Sequence, residues 1–233
     1  MLPFFYIRES DEAQQEITLD EATSRHIVQV LRMPLGAELN LTEGKGSLMT
    51  AEIVDAHRKR CRVRIKQLLH IQPPARTVSI GISLLKNPGR FEWFLEKAAE
   101  LGVSGIIPLL CERTEKQSFR KERMEAVLVS ALLQSRQCWL PVLHQPARLL
   151  DLLPACHQPQ KFIAHCIEDE KRNLADLVNE NLEQIVLVGP EGDFTPEEVA
   201  LAVKHHFVPV MLGDTRLRSE TAGIAAACLL RLL

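Results

Sequence analysis

The sequence predicts an α/β protein in two parts: a small β-barrel-like domain over residues 1–72 and a parallel-sheet domain over residues 73–233. Three observations predict it. Strand-like runs dominate the chain up to Leu68. The prolines of Ile71-Gln72-Pro73-Pro74-Ala75-Arg76 then interrupt the pattern. Beyond them strands alternate with helices, the signature of a parallel sheet covered on both faces.

In the first domain, the apolar start Met1-Leu2-Pro3-Phe4-Phe5 reads as an early strand. It lacks the charged n-region and full apolar stretch of a secretory signal. A short helix covers Asp20–Leu31. Strands follow at Glu38–Leu41, Leu48–Val54 and Cys61–Leu68, and the glycines of Thr42-Glu43-Gly44-Lys45-Gly46 suit a hairpin turn. In the second domain Thr77–Leu85 is a β-branched, apolar strand. Asn87-Pro88 forms an N-cap with proline at the first helical position. Phe91, Phe94, Leu95, Ala98 and Leu101 recur at helical spacing, and Gly102 stands where a C-terminal cap belongs. Gly105–Leu110 is the next strand, followed by helices at Arg120–Gln137 and Ala147–Leu153 and a strand at Lys161–Cys166. After the strand Gln184–Val188, Thr195-Pro196-Glu197-Glu198 is a capping box opening a helix to about His205. Phe207–Leu212 is the last strand and Ser219–Leu233 the last helix.

Charged residues make up 25% of the chain and hydrophobic residues 46%, the balance of a globular protein. The net charge of −2 confines any nucleic-acid role to a local patch. No apolar run reaches the roughly 18–20 residues of a membrane span, so no membrane association is expected. Six cysteines without a C-x-x-C pair suit a reduced, cytoplasmic protein. Cys156-His157 and His165-Cys166 offer zinc-ligand types, but adjacent side chains on a strand point to opposite faces, and no metal is expected. His165, at its strand end, reads either as facing a pocket or as a satisfied core histidine.

The candidate patch is Arg58-Lys59-Arg60-Cys61-Arg62-Val63-Arg64-Ile65-Lys66, with six basic residues and no acidic one. On a strand, Arg60, Arg62, Arg64 and Lys66 share one face while Cys61, Val63 and Ile65 share the other. That face is either a solvated strand surface or a phosphate-contacting stripe. Arg25 and Arg32 would extend the stripe.

The richest signal lies in Val186–Glu198 and Val210–Ala222. Each is an apolar run ending in glycine, followed by polar residues and a helix start. Strand carboxyl ends are where ligands bind in an α/β sheet, and glycine lets a ligand approach bare backbone. The ordinary signatures G-x-x-x-x-G-K-[ST] and G-x-G-x-x-G are missing. Gly189-Pro190-Glu191-Gly192 with Phe194-Thr195-x-x-Glu198, and Leu212-Gly213-x-x-x-Leu217-Arg218-x-Glu220-Thr221-Ala222, resemble the cofactor motifs of the SPOUT methyltransferases. The arrangement is most similar to the family that methylates N3 of one uridine in 16S ribosomal RNA. The likeness extends to His26-x-x-x-Val30-Leu31-Arg32, Glu43-Gly44-Lys45-Gly46, Lys97-Ala98-Ala99-Glu100-Leu101-Gly102-Val103, Cys111-Glu112-Arg113, and Gln134-Ser135 followed by Pro141. One departure is clear: many members carry Gly-Arg after Gln-Ser, where this chain has Arg136-Gln137. An RNA contact from that arginine would be shifted or absent here.

The resemblance implies a PUA-like N-terminal domain that holds RNA and a catalytic domain with a deep trefoil knot from about Val186 to Leu233. It implies S-adenosylmethionine as cofactor, a homodimer built through the catalytic domain, and 16S rRNA of the small ribosomal subunit as substrate. Gly189, Gly192 and Gly213 would line the cofactor with backbone. Leu187, Leu212 and Leu217 would supply apolar walls, with Pro190, Glu191, Thr221 and Ala222 completing the site. Methyl transfer needs the N3 proton removed and the resulting N3–O4 anion stabilised. Arg218 is the candidate cation, Glu220 its partner or a proton acceptor, and Arg113 a second cation for the substrate. A structural Arg218–Glu220 salt bridge is the alternative. So are a SPOUT enzyme acting on transfer RNA and a non-catalytic RNA-binding factor with the same fold.

Overall fold

The computed structural model describes residues 1–9, 15–115, 118–168 and 170–232. They form two compact units: Met1–Pro73 with Leu132–Leu140, and Pro74–Ala131 with the chain from Pro141 on. Leu233, included in the last helix by the sequence pattern, lies outside the described residues.

The first unit contains β1 (Phe4–Tyr6), β2 (Glu16–Thr18), α1 (Glu21–Arg25), β3 (Glu38–Thr42), β4 (Ser47–Asp55) and β5 (Arg62–His70). They form one sheet in the order β1-β3-β4-β5-β2, antiparallel except for β1 beside β3. Register shifts at Thr50/Ala51 and Ile53/Asp55 add twist and curvature, as bulges do. Asp20 caps α1 by accepting from the Thr23 amide at 2.8 Å. The expected helix over Asp20–Leu31 is helical without interruption from Glu21 to Val30, passing from α1 into one π turn at His26–Val30. The buried Ser24 hydroxyl accepts from the Cys61 amide at 2.8 Å, tying α1 to the start of β5. Ile27, Leu39, Leu41, Ile53, Cys61 and Val63 fill the core between them. The Gly44–Gly46 turn packs on Trp139, whose indole would overlap any Cβ at Gly46. Trp139 Nε1 in turn donates to the Ile71 and Gln72 carbonyls at 3.1 Å each. Arg136 sits at φ +58, a left-handed conformation that glycine adopts without cost, and its guanidinium donates to the Leu2 carbonyl. The resemblance's glycine at this position has a backbone reason, and arginine bears the strain here.

The second unit contains β6 (Val78–Ser83), α2 (Pro88–Glu100), β7 (Gly105–Leu110), α3 (Lys121–Ser135), β8 (Val142–Leu143), β9 (Ala147–Arg148), α4 (Leu149–Leu152), β10 (Gln160–Ala164), β11 (Arg172–Asn173), β12 (Gln184–Val188), α5 (Pro196–Lys204), β13 (Val208–Met211) and α6 (Ser219–Leu232). The last residues of α3 cluster with the first unit. The parallel sheet runs β11-β13-β10-β12-β6-β7-β8, with β9 pairing β7 off that path. Asn87 caps α2 as the sequence predicts, accepting from Gly89 N at 2.9 Å. The expected helix over Ala147–Leu153 begins as strand instead, because Ala147 and Arg148 pair with Leu109 and Leu110. On one face Leu109, Ile163, Leu187, Phe194, Val199 and Phe207 form a core. On the other, α6 lies against α2 and β6. Gly223 permits that approach, since a Cβ there would stand 2.7 Å from the Phe94 ring. Among the described residues no helix is long and apolar enough to cross a membrane. Because the sheet is parallel, the loops leaving β10, β12 and β13 emerge along one edge.

Candidate active site

Those three loops enclose a cavity of about 860 Å³. Its walls are the end of β10 with His165, Cys166, Glu168 and Lys171, the turn after β12, and the loop from β13 into α6. The volume falls in the range of sites that bury a small molecule.

The turn after β12 is closed by contacts within the protein. Asp193 N donates to the Pro190 carbonyl at 2.9 Å, and Asp193 itself sits at φ +64. A Cβ on Gly189 would lie 3.1 Å from the Phe194 amide, and one on Gly192 would meet the Arg113 side chain at 3.4 Å. Gly189 is therefore held tight by the protein's own packing, whereas a Cβ at Gly192 would make only ordinary contact with a flexible side chain. Arg113 Nη1 donates to the Gly192 carbonyl at 2.8 Å, and Glu191 Oε1 accepts from the Lys86 amide at 3.1 Å. Behind the turn, the buried Glu198 completes the predicted capping box with Thr195. Its Oε2 accepts from Thr195 N and its Oε1 from Glu112 N, each at 2.9 Å, so one carboxylate fixes the start of α5 and the Glu112-Arg113 bend together. Nearby, burial first and Glu198 second push the Cys111 thiol up to about 12.

The β10 loop is joined to this turn. Asp193 Oδ2 accepts from Cys166 N at 2.8 Å while its Oδ1 accepts from Phe194 N at 2.9 Å. From the other side, Lys171 Nζ donates to the His165 and Ile167 carbonyls at 2.8 and 2.7 Å.

The loop after β13 is different. Gly213 lies at φ +135 with nothing within 4 Å of a Cβ position, leaving bare backbone toward the cavity. Asp214, Thr215, Arg216 and Arg218 are exposed, and among the described residues their side chains form no hydrogen bond or ion pair.

Two family models match this chain. One, an RNA methyltransferase domain, covers residues 72–231, and the other, an RNA methyltransferase PUA domain, covers residues 19–66. The ribosomal RNA small subunit methyltransferase E of Synechocystis sp. is 30% identical over 218 residues, which is 90% of this chain and 71% of that protein. The chain belongs to the ribosomal RNA small subunit methyltransferase E family. Its fold agrees. A probable rRNA-methyltransferase from Porphyromonas gingivalis superposes with a TM-score of 0.91 at 34% identity, covering 99% of each chain. The family member from Neisseria gonorrhoeae, solved bound to S-adenosyl methionine, gives 0.88 at 27% identity over 100% of this chain and 98% of that one. The catalytic unit is thus the SPOUT-type parallel sheet, preceded by a PUA-like unit.

Within this methyltransferase framework, Gly189, Pro190, Glu191, Leu212, Gly213, Leu217, Arg218 and Ala222 line the cavity together. The other sequence candidates stand outside its lining. Leu187 is fully buried, packed over Gly81 on the face that carries α5. Gly192 and Arg113 face each other, and Thr221 is exposed on α6. Glu220 does not pair with Arg218: two residues further into α6, it turns toward α2, where its Oε1 lies 3.6 Å from Arg90 Nε. Lys171, Asp193, Arg216 and Cys166 were missed as cavity residues, because their positions follow from loop packing that no spacing rule encodes. The open question about His165 resolves toward the pocket: it is buried and lines it.

The basic strand of the PUA-like unit has the predicted parity from Arg62 on, with Arg62, Arg64 and Lys66 exposed and Val63 buried, but Arg60 lies in the turn before β5 and not on the strand face. Its charges are largely met across the sheet. Arg62 and Arg64 reach Glu16 at 3.6 and 2.9 Å, and Lys66 reaches Glu38 and Glu52 at 3.1 and 3.4 Å. Arg25 pairs with Glu21 at 2.7 Å. The Arg32 and Arg60 side chains carry no ion pair among the described residues. No group of His, Cys, Asp and Glu among the described residues is arranged to hold a metal.

Proposed function

We propose that this protein is an S-adenosylmethionine-dependent methyltransferase acting on N3 of a specific uridine in the 16S rRNA of the small ribosomal subunit. The observation that carries the proposal is the convergence of two glycine loops, from β12 and β13, on one cavity with Arg218 on its lining. The cavity fits the cofactor: it is large enough, it presents bare backbone at Gly213, and Leu212, Leu217 and Ala222 give it apolar walls. When bound, the cofactor supplies a methyl group on a sulfonium, and the protein's task is positioning. Arg218, uncommitted to any other side chain, stabilises the anionic N3–O4 edge of the uracil once N3 has released its proton to solvent water. Glu220 acts through Arg90 to seat the first turn of α6, directly after Arg218. Arg113 holds the first turn through Gly192 and supports the site from behind.

The PUA-like unit holds the RNA by its phosphates. Arg32 and Arg60 are its readiest contacts, and Arg25, Arg62, Arg64 and Lys66 exchange carboxylate partners for phosphate at modest cost, since exposed ion pairs contribute only about 0–1 kcal/mol. The protein works in the cytoplasm, where its substrate is assembled. It does so as a homodimer through the catalytic unit, for which exposed Trp93 on α2 and Leu232 on α6 are suited. The chain from Val186 onward forms a deep trefoil knot. The return of α6 from the β13 side of the sheet to α2 and β6 supports that reading.

The test is incubation with tritiated S-adenosylmethionine and small subunits from a strain lacking the gene, with the labelled nucleoside identified by mass spectrometry. Label recovered as N3-methyluridine at one site is the expected result. Label on transfer RNA alone, or none, would reject the proposal.

A further inference from the structure

We infer that Asp193 and Lys171 form a clamp that positions the backbone of His165–Ile167 as a preformed wall for the cofactor. Neither residue acts on the methyl group or the uridine. β10 ends at Ala164, so the peptide groups beyond it have left the sheet that would otherwise fix them. Two of those peptide groups are held by the clamp, through three polar atoms. Asp193 takes the Cys166 N–H from one side, and Lys171 takes the His165 and Ile167 carbonyls from the other. All of these residues except Ile167 line the cavity.

The backbone of Asp193 gives the second argument. A non-glycine residue at φ +64 is strained, and glycine would relieve the strain. What the aspartate provides in return is one carboxylate joined to two loops, through Phe194 N in its own turn and Cys166 N in the β10 loop. Charge-assisted hydrogen bonds of this kind hold geometry well. A wall already in place removes an ordering cost from each binding event.

The inference rests on the cavity being the cofactor's. The test is calorimetric titration of the full-length protein and its variants with S-adenosylmethionine, with Tm measured for each. Asp193→Gly relieves the backbone strain but gives up the two carboxylate hydrogen bonds, so Tm should fall by only a few degrees while Kd weakens about fivefold or more. Lys171→Met should weaken Kd to a similar degree, and Lys171→Arg, which can still reach both carbonyls, should restore it to within about twofold. If both residues act by holding one segment, the double variant Asp193→Gly/Lys171→Met should lose less than the product of the single losses. A Kd within about twofold of wild type in either Asp193→Gly or Lys171→Met overturns the inference. So do losses that multiply in the double variant, or losses of affinity that merely follow losses of Tm. Ala222→Phe, which fills the cavity, separates the two levels of the reading. If it abolishes binding while the clamp variants bind normally, only the clamp fails. If Ala222→Phe binds normally, the cavity is not the cofactor's and the inference falls with it.

Discussion

The two glycine loops resemble each other in sequence and differ in construction. The turn after β12 is braced on several sides: Gly189 against Phe194, Arg113 on the Gly192 carbonyl, Glu191 on the Lys86 amide, Asp193 on Cys166, and Glu198 behind. The loop after β13 presents Gly213 to open space and leaves four polar side chains uncommitted. Both motifs line the cavity, one braced by the protein and the other left open; under the proposed function the open one meets the reacting molecule. Groups already hydrogen-bonded within the fold have little left to offer a reacting molecule, whereas uncommitted groups can respond to charge that develops only during reaction.

This contrast can be broken most directly at Arg218. Arg218→Ala should lower turnover by about a hundredfold or more while leaving cofactor affinity within about tenfold and Tm unchanged. Near-normal turnover would remove the open loop from the chemistry. Glu198→Ala should do the opposite. It loses the capping box and strands the Glu112 amide, so chemical denaturation should show a loss of about 2 kcal/mol, with cofactor affinity falling only through the misplaced turn.

A third expectation concerns alkaline pH. The fold holds the Cys111 thiol up to about 12, against 9.0 for a free one, so folding favours its protonated form. The stability this contributes is complete below pH 9 and is lost as pH rises from there toward 12. Cys111→Ala should flatten that limb of the stability–pH curve, and an unchanged limb would place the alkaline sensitivity elsewhere. Next, hydrogen exchange with and without S-adenosylmethionine should slow amides in Gly213–Arg218 far more than those in Gly189–Phe194, and equal protection of both would erase the distinction. The smallest effect belongs to Arg64→Ala, which removes an exposed pair with Glu16 and should cost under about 0.5 kcal/mol of stability.

Legibility in the sequence follows the range of the interaction. The caps at Asn87-Pro88 and Thr195–Glu198 are local, and the structure forms both. The parity of β5 is local too. Its neutralisation by Glu16, Glu38 and Glu52 is not, because those partners are chosen by strand register. Strands β2, β8 and β11 are two or three residues long, and none has a run that spacing can detect. Arg113 and Glu220 were legible as polar residues near a ligand loop, but a helix turn and a neighbouring arginine decide where their charges point. Lys171 and Asp193 were unreadable because a carbonyl-bound ammonium and a strained aspartate carry no mark in one dimension.

The place of Trp139 has a consequence for how the chain is made. The Gly44–Gly46 turn is complete only when the indole lies on it and the Leu140 amide reaches the Gly44 carbonyl at 2.8 Å. During synthesis that turn must wait until β6, α2, β7 and α3 have all left the ribosome. The first unit to emerge is therefore not the first that can finish, and its long-range closure is a slow step by nature. A fragment cut after Pro73 would hold every strand of the unit in its sequence but leave the Gly46 face bare, a poor stand-in for the unit in the whole protein.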